Sequence, residues 1–257
     1  MKSEYTAKYF RDGMPEWKRK KDPILSRIFY RPVSFLTASW CAKVGISANT
    51  VSYFSGVFAI IACLLFLINS YPVKIVAAIM INIWLIMDCT DGNLARSVKS
   101  QPFGEFADGI SSYILVGIMC ITMSYSVYQT GGTFIDSGNA IIILIGAFAS
   151  SADTMMRLIY QKYKATAAEM VERGIIQPEV DKRTSRSEVG SFRVRIEAEL
   201  GIGGILPIAI LIATIFNALD LIIVYCFMYY GASCVLASLI HVRKAIKHTK
   251  EYEAGGK

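Results

Sequence analysis

Charge is scarce in this chain: Asp, Glu, Lys and Arg together make 18 % of its 257 residues. Histidine is scarcer still. His241 and His248 fall among basic residues after the last apolar segment and read as solvated. None of the six cysteines (41, 63, 89, 120, 226 and 234) forms a CxxC pair, and most sit in apolar runs. A disulfide framework is therefore not expected, and these residues read as small buried hydrophobes with reduced thiols. There is no zinc-finger spacing and no RNP pattern, so nucleic acid is not expected as a partner. No internal repeat is visible. The first residues are polar and charged, which argues against a cleavable signal peptide.

What is abundant is apolar sequence. The hydrophobic fraction is 54 % and the mean hydropathy is +0.43, more than a soluble domain usually carries. Apolar segments of roughly membrane-spanning length run over 51–69, 73–96, 104–128, 139–163, 201–217 and 221–241, with ~20 residues needed to cross a bilayer core. The expectation is an all-α integral membrane protein with six transmembrane helices. Ahead of them, residues 23–44 carry Ile24, Leu25, Ile28, Phe29, Val33, Phe35, Leu36 and Trp40 at helical spacing, flanked by Arg19, Lys20, Arg27 and Arg31. That pattern predicts an amphipathic helix lying in the membrane interface. Residues 1–22, ending in Lys18-Arg19-Lys20-Lys21, read as a solvated basic tail held at anionic lipid. The chain divides into 1–45, tail and interfacial helix, and 46–257, the six-helix domain.

The net charge of +7 is distributed by side. The N-terminal segment, the 97–103 link, the polar stretch 164–199 and the C-terminus hold nearly all Lys and Arg, whereas the three intervening loops hold almost none. The positive-inside rule then predicts a multi-pass protein with both termini cytoplasmic. It also puts the acids of 88–112 at the cytoplasmic ends of the second and third spans.

Those acids are the strongest chemical signal. Asp88 and Asp91 are three residues apart on one helical stripe with Gly92 and Ala95. The short link makes the second and third spans expected antiparallel neighbours, so that Asp108 can face the pair. Carboxylates beside the bilayer are functional suspects, and a divalent cation, Mg²⁺ or Mn²⁺, would relieve their repulsion and bridge them to phosphates. Gly92 and Ala95 leave room for a ligand at the helix backbone, Arg96 can clamp a phosphate, and Gly104 permits close approach where the third span begins. The arrangement predicts a site for metal and a diphosphate. The alternative for any single acid is a helix cap paired with Arg96 or Lys99. Asp153 and Arg157 stand four apart on the fourth span and read as an internal ion pair. They also permit a transporter reading, but that reading expects repeated halves and acids near the midplane.

Asp88-x-x-Asp91-Gly92-x-x-Ala95-Arg96 followed by Gly104-x-x-x-Asp108 resembles the signature of the CDP-alcohol phosphotransferases (CDP-alcohol phosphatidyltransferases), DxxDGxxAR…GxxxDxxxD. The first half matches at every fixed position, and the six-helix core of that family fits the chain. Asn49 stands where many members have Pro-Asn, with Ala48 in place of the proline. The resemblance implies a membrane enzyme of phospholipid-type metabolism. It would move a phosphoalcohol or phosphatidyl group from a CDP-linked donor to an acceptor and release CMP. By the same resemblance Asp88, Asp91 and Asp108 hold divalent metal, Gly92, Ala95, Arg96 and Gly104 line the nucleotide site, Arg157 receives a phosphate on the acceptor, and the protein is a homodimer.

Two departures stand out. The spacer between Arg96 and Gly104 is short, and the family's last aspartate, the expected general base, is Ser112. A serine hydroxyl is a poor base at neutral pH, and loss of a base typically lowers rates ~10²–10⁴-fold. The acceptor is then expected to be an alcohol activated by another acid, with Glu105 the candidate on the Asp108 stripe, or a group already ionised at neutral pH, possessed by a lipid or glycan. The alternative is a catalytically impaired paralogue that binds the CDP-alcohol without turning it over.

Overall fold

The computed structural model describes residues 4–178 and 192–255, with the backbone alone for 192–194. Every regular element among them is helical. Two short helices, α1 (Ala7–Asp12) and α2 (Glu16–Lys21), precede a π-helical turn, Ser26–Tyr30, that runs into α3 (Arg31–Val44). The bundle follows: α4 (Ala48–Leu65), α5 (Tyr71–Ser97), α6 (Gly104–Thr130), α7 (Ile141–Glu172), then α8 (Phe192–Leu200), α9 (Leu206–Ile215) and α10 (Leu219–Gly255).

The helices α4, α5, α6, α7 and α10 are each long and apolar enough to cross a membrane, so the chain is an all-α membrane protein, as its hydropathy predicts. The fifth apolar segment, 201–217, differs from expectation. Its helix, α9, has ten residues, about 15 Å at 1.5 Å per residue, and irregular backbone at 201–205 precedes it. The reason is local. Gly204 packs so closely on the carbonyls of Ala198 and Glu199 that any Cβ would collide with them, and Pro207 follows at the start of α9. Irregular backbone inside a membrane protein must find partners within the protein. Here Ser26 Oγ donates to Gly203 O at 2.6 Å, and Asn82 Nδ2 of α5 donates to Pro207 O at 2.9 Å. Asn82 is itself fixed by Tyr30, whose hydroxyl donates to Asn82 Oδ1 at 2.5 Å.

α4 is the spine of the site. Its buried face is small: Ser52, Ser55, Gly56, Ala59, Ala62 and Cys63. Small residues let helix backbones approach closely where apolar surface alone gives no drive to associate, and α4 packs along both α5 and α6. This qualifies how far the second and third spans adjoin. α5 and α6 are neighbours over only a short stretch; along most of their length α4 lies against both, and side chains join them. Trp84 Nε1 of α5 donates to Ser111 Oγ of α6 at 2.9 Å, and Ser111 also bonds Ser55 of α4.

The N-terminal segment is not a solvated tail. Tyr5, Phe10 and Met14 are buried with Phe35, Ala38, Cys41 and Ala42 of α3 and with Leu94 of α5, forming a second core beside the bundle. Ser39 Oγ donates to Tyr5 O, and Tyr9 Oη donates to Ser97 O at the end of α5. The basic run at 18–21 partly belongs to this packing, because Lys18 pairs with buried Asp22 at 3.0 Å. α3 still presents Leu36, Trp40 and Val44 outward, as an interfacial helix would. The polar stretch expected at 164–199 is helical over much of its described length, within α7 and α8; its Lys182, Arg183 and Arg186 lie outside the described residues. All six cysteines are free and five are buried.

Candidate functional site

Asp88, Asp91, Gly92, Ala95 and Arg96 occupy the last three turns of α5, and Gly104, Asp108 and Ser112 the first turns of α6. The link between them turns at Phe103, which has φ 60° and precedes the first residue of α6. Asn49 holds this link to α4. Its Nδ2 donates to Pro102 O at 2.8 Å, its backbone N–H meets Gln101 Oε1 at 3.1 Å, and its Oδ1 lies beside the Gly104 backbone.

The three aspartates form a graded set at one end of the bundle. Asp91 is buried, at 5 % exposure, Asp88 is half-buried and Asp108 is exposed. The carboxyls of Asp88 and Asp108 are within hydrogen-bonding reach of one another, and both act electrostatically on Asp91. Asp91 Oδ2 accepts a hydrogen bond from Ser52 Oγ of α4 at 2.6 Å. Arg31 and Lys18 stand close enough to act on Asp88, yet both are committed to Asp22, at 2.7 and 3.0 Å. Among the described residues no Lys or Arg forms an ion pair with any of the three aspartates. Three carboxylates gathered without a cation suit a hard divalent ion, which favours oxygen ligands. They are not closed into a ready cage: no three His, Cys, Asp or Glu side chains among the described residues stand at metal-holding spacing.

Gly92 serves Arg96. The guanidinium folds back over the glycine, and a Cβ there would lie 3.0 Å from both terminal nitrogens. Arg96 also donates to Asn93 Oδ1 at 3.1 Å. Ala95 packs against the second core. Ser112 is half-buried, and its hydroxyl donates to Gly109 O of its own helix at 3.0 Å. Glu105 is exposed at the rim and pairs with Lys164 of α7 at 2.8 Å. Arg157 lies on α7: its Nε donates to Asp153 Oδ2 at 2.9 Å, and its guanidinium covers the Tyr113 ring at 5.4 Å. The Asp153–Arg157 ion pair expected from the sequence is therefore present.

Sequence reasoning missed Arg31. It reads there as a charged flank of an interfacial helix, but it is 6 % exposed and points inward. Asp22 grips it through two oxygens, at 2.7 and 3.2 Å, and its Nη1 donates to Cys89 O and to Asn93 Oδ1. Asn93 thus accepts from both Arg31 and Arg96, and donates to Ser34 Oγ. The signal was Asp22 nine residues earlier, a lone acid after four basic residues. Burial alone would raise the pKa of Asp22. Its hydrogen bonds and charge pairing with Arg31, then Lys18, outweigh that and hold it below the ordinary carboxylate value.

Arg157 and Asp153 line a cavity of about 380 Å³ between α7, α10, the 197–203 segment and the Lys18–Pro23 corner. Lys18 connects it to the aspartates, being on its wall and close enough to act on Asp88 and Asp108.

A family model described as CDP-alcohol phosphatidyltransferase matches residues 46–230, well over half of the chain. No curated protein matches.

Proposed function

Because the chain belongs to the CDP-alcohol phosphatidyltransferase family, a family that transfers a phosphoalcohol from a CDP-alcohol to an acceptor, we propose that the Asp88–Asp91–Asp108 set is its donor site and that CMP is the product released there. The observation that carries this reading is the convergence of three carboxylates from α5 and α6 without a paired cation, beside Arg96.

Asp88, Asp91 and Asp108 would hold Mg²⁺ or Mn²⁺. A divalent ion supplies charge neutralisation for the diphosphate and for the phosphate that leaves with CMP. The chain supplies the rest. Arg96, free to turn over Gly92, grips a phosphate oxygen. Asn93, itself held by Arg31, accepts from the guanidinium from behind. Ser52 orients Asp91. An acceptor oxygen attacks the phosphorus that bears the donor alcohol, the bond from that phosphorus to the bridging oxygen breaks, and CMP departs with the electron pair. The acceptor enters from the cavity beside Arg157. By the distribution of Lys and Arg, this end of the bundle and both termini face the cytoplasm.

Ser112 decides which acceptors are used. Its hydroxyl is engaged with Gly109 O and cannot take up a proton at neutral pH. An acceptor oxygen that is already ionised needs no base. A hydroxyl acceptor must give its proton to a neighbouring acid, Glu105 at the rim being one. The same observation favours a second reading, a protein that binds CDP-alcohol without turnover. Both are tested on the purified full chain in nanodiscs. CMP release is measured from a panel of CDP-alcohols with Mg²⁺ or Mn²⁺, beside thermal stabilisation by CMP. Release supports transfer, stabilisation without release supports the binding protein, and neither effect overturns the donor site.

A further inference from the structure

A cavity of about 500 Å³ opens where the end of α3, the start of α4 and the end of α5 meet. None of the three aspartates lines it, nor do Gly92, Arg96 and Gly104, so it is separate from the donor site. Its charge is of one sign: Lys43 and Lys99 are on the wall, and no Asp or Glu is. Lys18, Lys20, Lys164 and Lys247 each pair with an acid. The ammonium groups of Lys43 and Lys99 are exposed and have no ion pair or hydrogen bond among the described residues. Gln101, also on the wall, adds a donor. Its Oε1 accepts from Asn49 N–H at 3.1 Å, and its amide nitrogen has no hydrogen bond among the described residues.

Two free cations and an amide around one space, with no carboxylate to balance them, suit an oxyanion. The volume is that of a site for a molecule and not for a bare ion. The rest of the wall is largely apolar, including Val44, Leu94 and Val98. Val44 is 58 % exposed and Val98 39 %, so this apolar lining reaches the surface. Val44 also belongs to the outward face of α3 with Leu36 and Trp40, and tryptophan is a residue of membrane–water boundaries. The cavity is therefore continuous with the face that α3 turns to the membrane surface. A soluble phosphate uses the lysines alone, whereas a lipid uses the lysines and the apolar lining together.

We propose that this cavity binds an anionic phospholipid, with its phosphate on Lys43, Lys99 and Gln101 and the start of its chains on Val44 and Val98. The occupant lies against the link that leads into α6, because Gln101 is bonded to Asn49 and Asn49 to Pro102 O. The binding goes beyond the transferase reading and needs neither nucleotide nor metal.

The test is the affinity of the full chain, in a neutral maltoside detergent without nucleotide or metal, for four probes measured by thermophoresis. They are dioctanoyl phosphatidylglycerol, dioctanoyl phosphatidylcholine, glycerophosphoglycerol and inorganic phosphate. Phosphatidylglycerol is expected to bind about tenfold or more tighter than phosphatidylcholine, since a lysine at an anionic lipid surface contributes about fivefold. The two probes without chains are expected to bind at least about tenfold more weakly than phosphatidylglycerol, as they leave the apolar lining unused. Lys43→Gln and Lys99→Gln are each expected to cost about fivefold, and together to erase the preference over phosphatidylcholine. Lys247→Gln combined with Lys250→Gln, on α10 outside the cavity, is expected to leave it unchanged. Equal binding of the two lipids overturns the proposal, as does a preference that survives loss of both cavity lysines. An equal loss in the α10 variant overturns it in favour of scattered surface charge, and glycerophosphoglycerol binding as tightly as the lipid overturns it in favour of a soluble phosphate. If CMP fails to bind while the lipid preference holds, the donor reading falls and the lipid site stands.

Discussion

The two ends of the bundle treat their acids in opposite ways. At the end where α10 begins, Asp220 is 1 % exposed and fully answered: Oδ2 accepts from the backbone of Phe134 and Ile135, Oδ1 from that of Leu221. Nearby Lys74, also buried, donates to Ser126 O and Thr130 Oγ1 at the end of α6, where helix carbonyls favour a cation. At the other end Asp88, Asp91 and Asp108 face one another with one serine hydroxyl and no ion pair between them. The first arrangement stabilises the fold by itself. The second leaves repulsion in place until something positive arrives, which is how a site differs from a strut.

Exchanging the consequences of substitution is the strongest way to break this comparison. Asp88→Asn is expected to lower CMP release about a thousandfold, since a bound metal contributes several kcal/mol to the transition state, while raising the apparent melting temperature of metal-free protein through relief of like charge. Chelation should abolish release in wild type and addition of Mg²⁺ or Mn²⁺ restore it. Asp220→Ala is expected to do the reverse: a loss of about 3 kcal/mol of stability, from buried amides left unpaired, with activity per folded molecule retained. Thermal denaturation and CMP release on both variants decide, and a destabilised Asp88→Asn or a stable Asp220→Ala would dissolve the distinction.

A smaller effect sharpens the site end. Ser112→Asp places a carboxylate one helical turn after Asp108, and an increase of about 10–100-fold in transfer to alcohol acceptors is expected, with ionised acceptors little changed. Arg31→Ala should raise KM for the donor about tenfold with a smaller change in kcat, because Arg31 acts through Asn93 on Arg96. Arg31→Lys should restore only part of it, as one ammonium cannot hold Asp22, Cys89 O and Asn93 together.

The smallest effect is in pH. The pKa of Asp22 is lower folded than unfolded, so its pairing stabilises the protein fully above the ordinary carboxylate value near 4, and that stabilisation is lost as pH falls through the lowered folded value. The melting temperature of wild type minus that of Asp22→Asn should be constant from about pH 8 to pH 5 and shrink below about pH 4. A difference that shrinks instead toward alkaline pH would place the dominant titration elsewhere.

Much of this was legible in the order of residues. The five long helices follow from apolar runs, and the meeting of Asp88, Asp91 and Asp108 follows from helical spacing and a short link. What could not be read was packing that depends on side-chain size in a third element. Ser52, Ser55, Gly56 and Ala59 on α4 bring that helix against both α5 and α6, and loop length alone said nothing of it. The inward turn of Arg31 was hidden because an amphipathic pattern assumes regular periodicity, and the π-helical turn at Ser26–Tyr30 with Pro32 behind it shifts the faces. The burial of Tyr5, Phe10 and Met14 was masked by the basic residues around them.

The corner at Asp22 also sets an order of events during synthesis. Ile24 N–H is held by Glu199, and Ser26 by Gly203, so the first thirty residues are tied to a segment translated some 175 residues later. Arg31 reaches Cys89 and Asn93 once α5 exists, but the corner that holds Asp22 is complete only when 199–203 has emerged. A nascent chain stopped before α8 therefore carries all three aspartates while Ile24 and Ser26 still lack their partners.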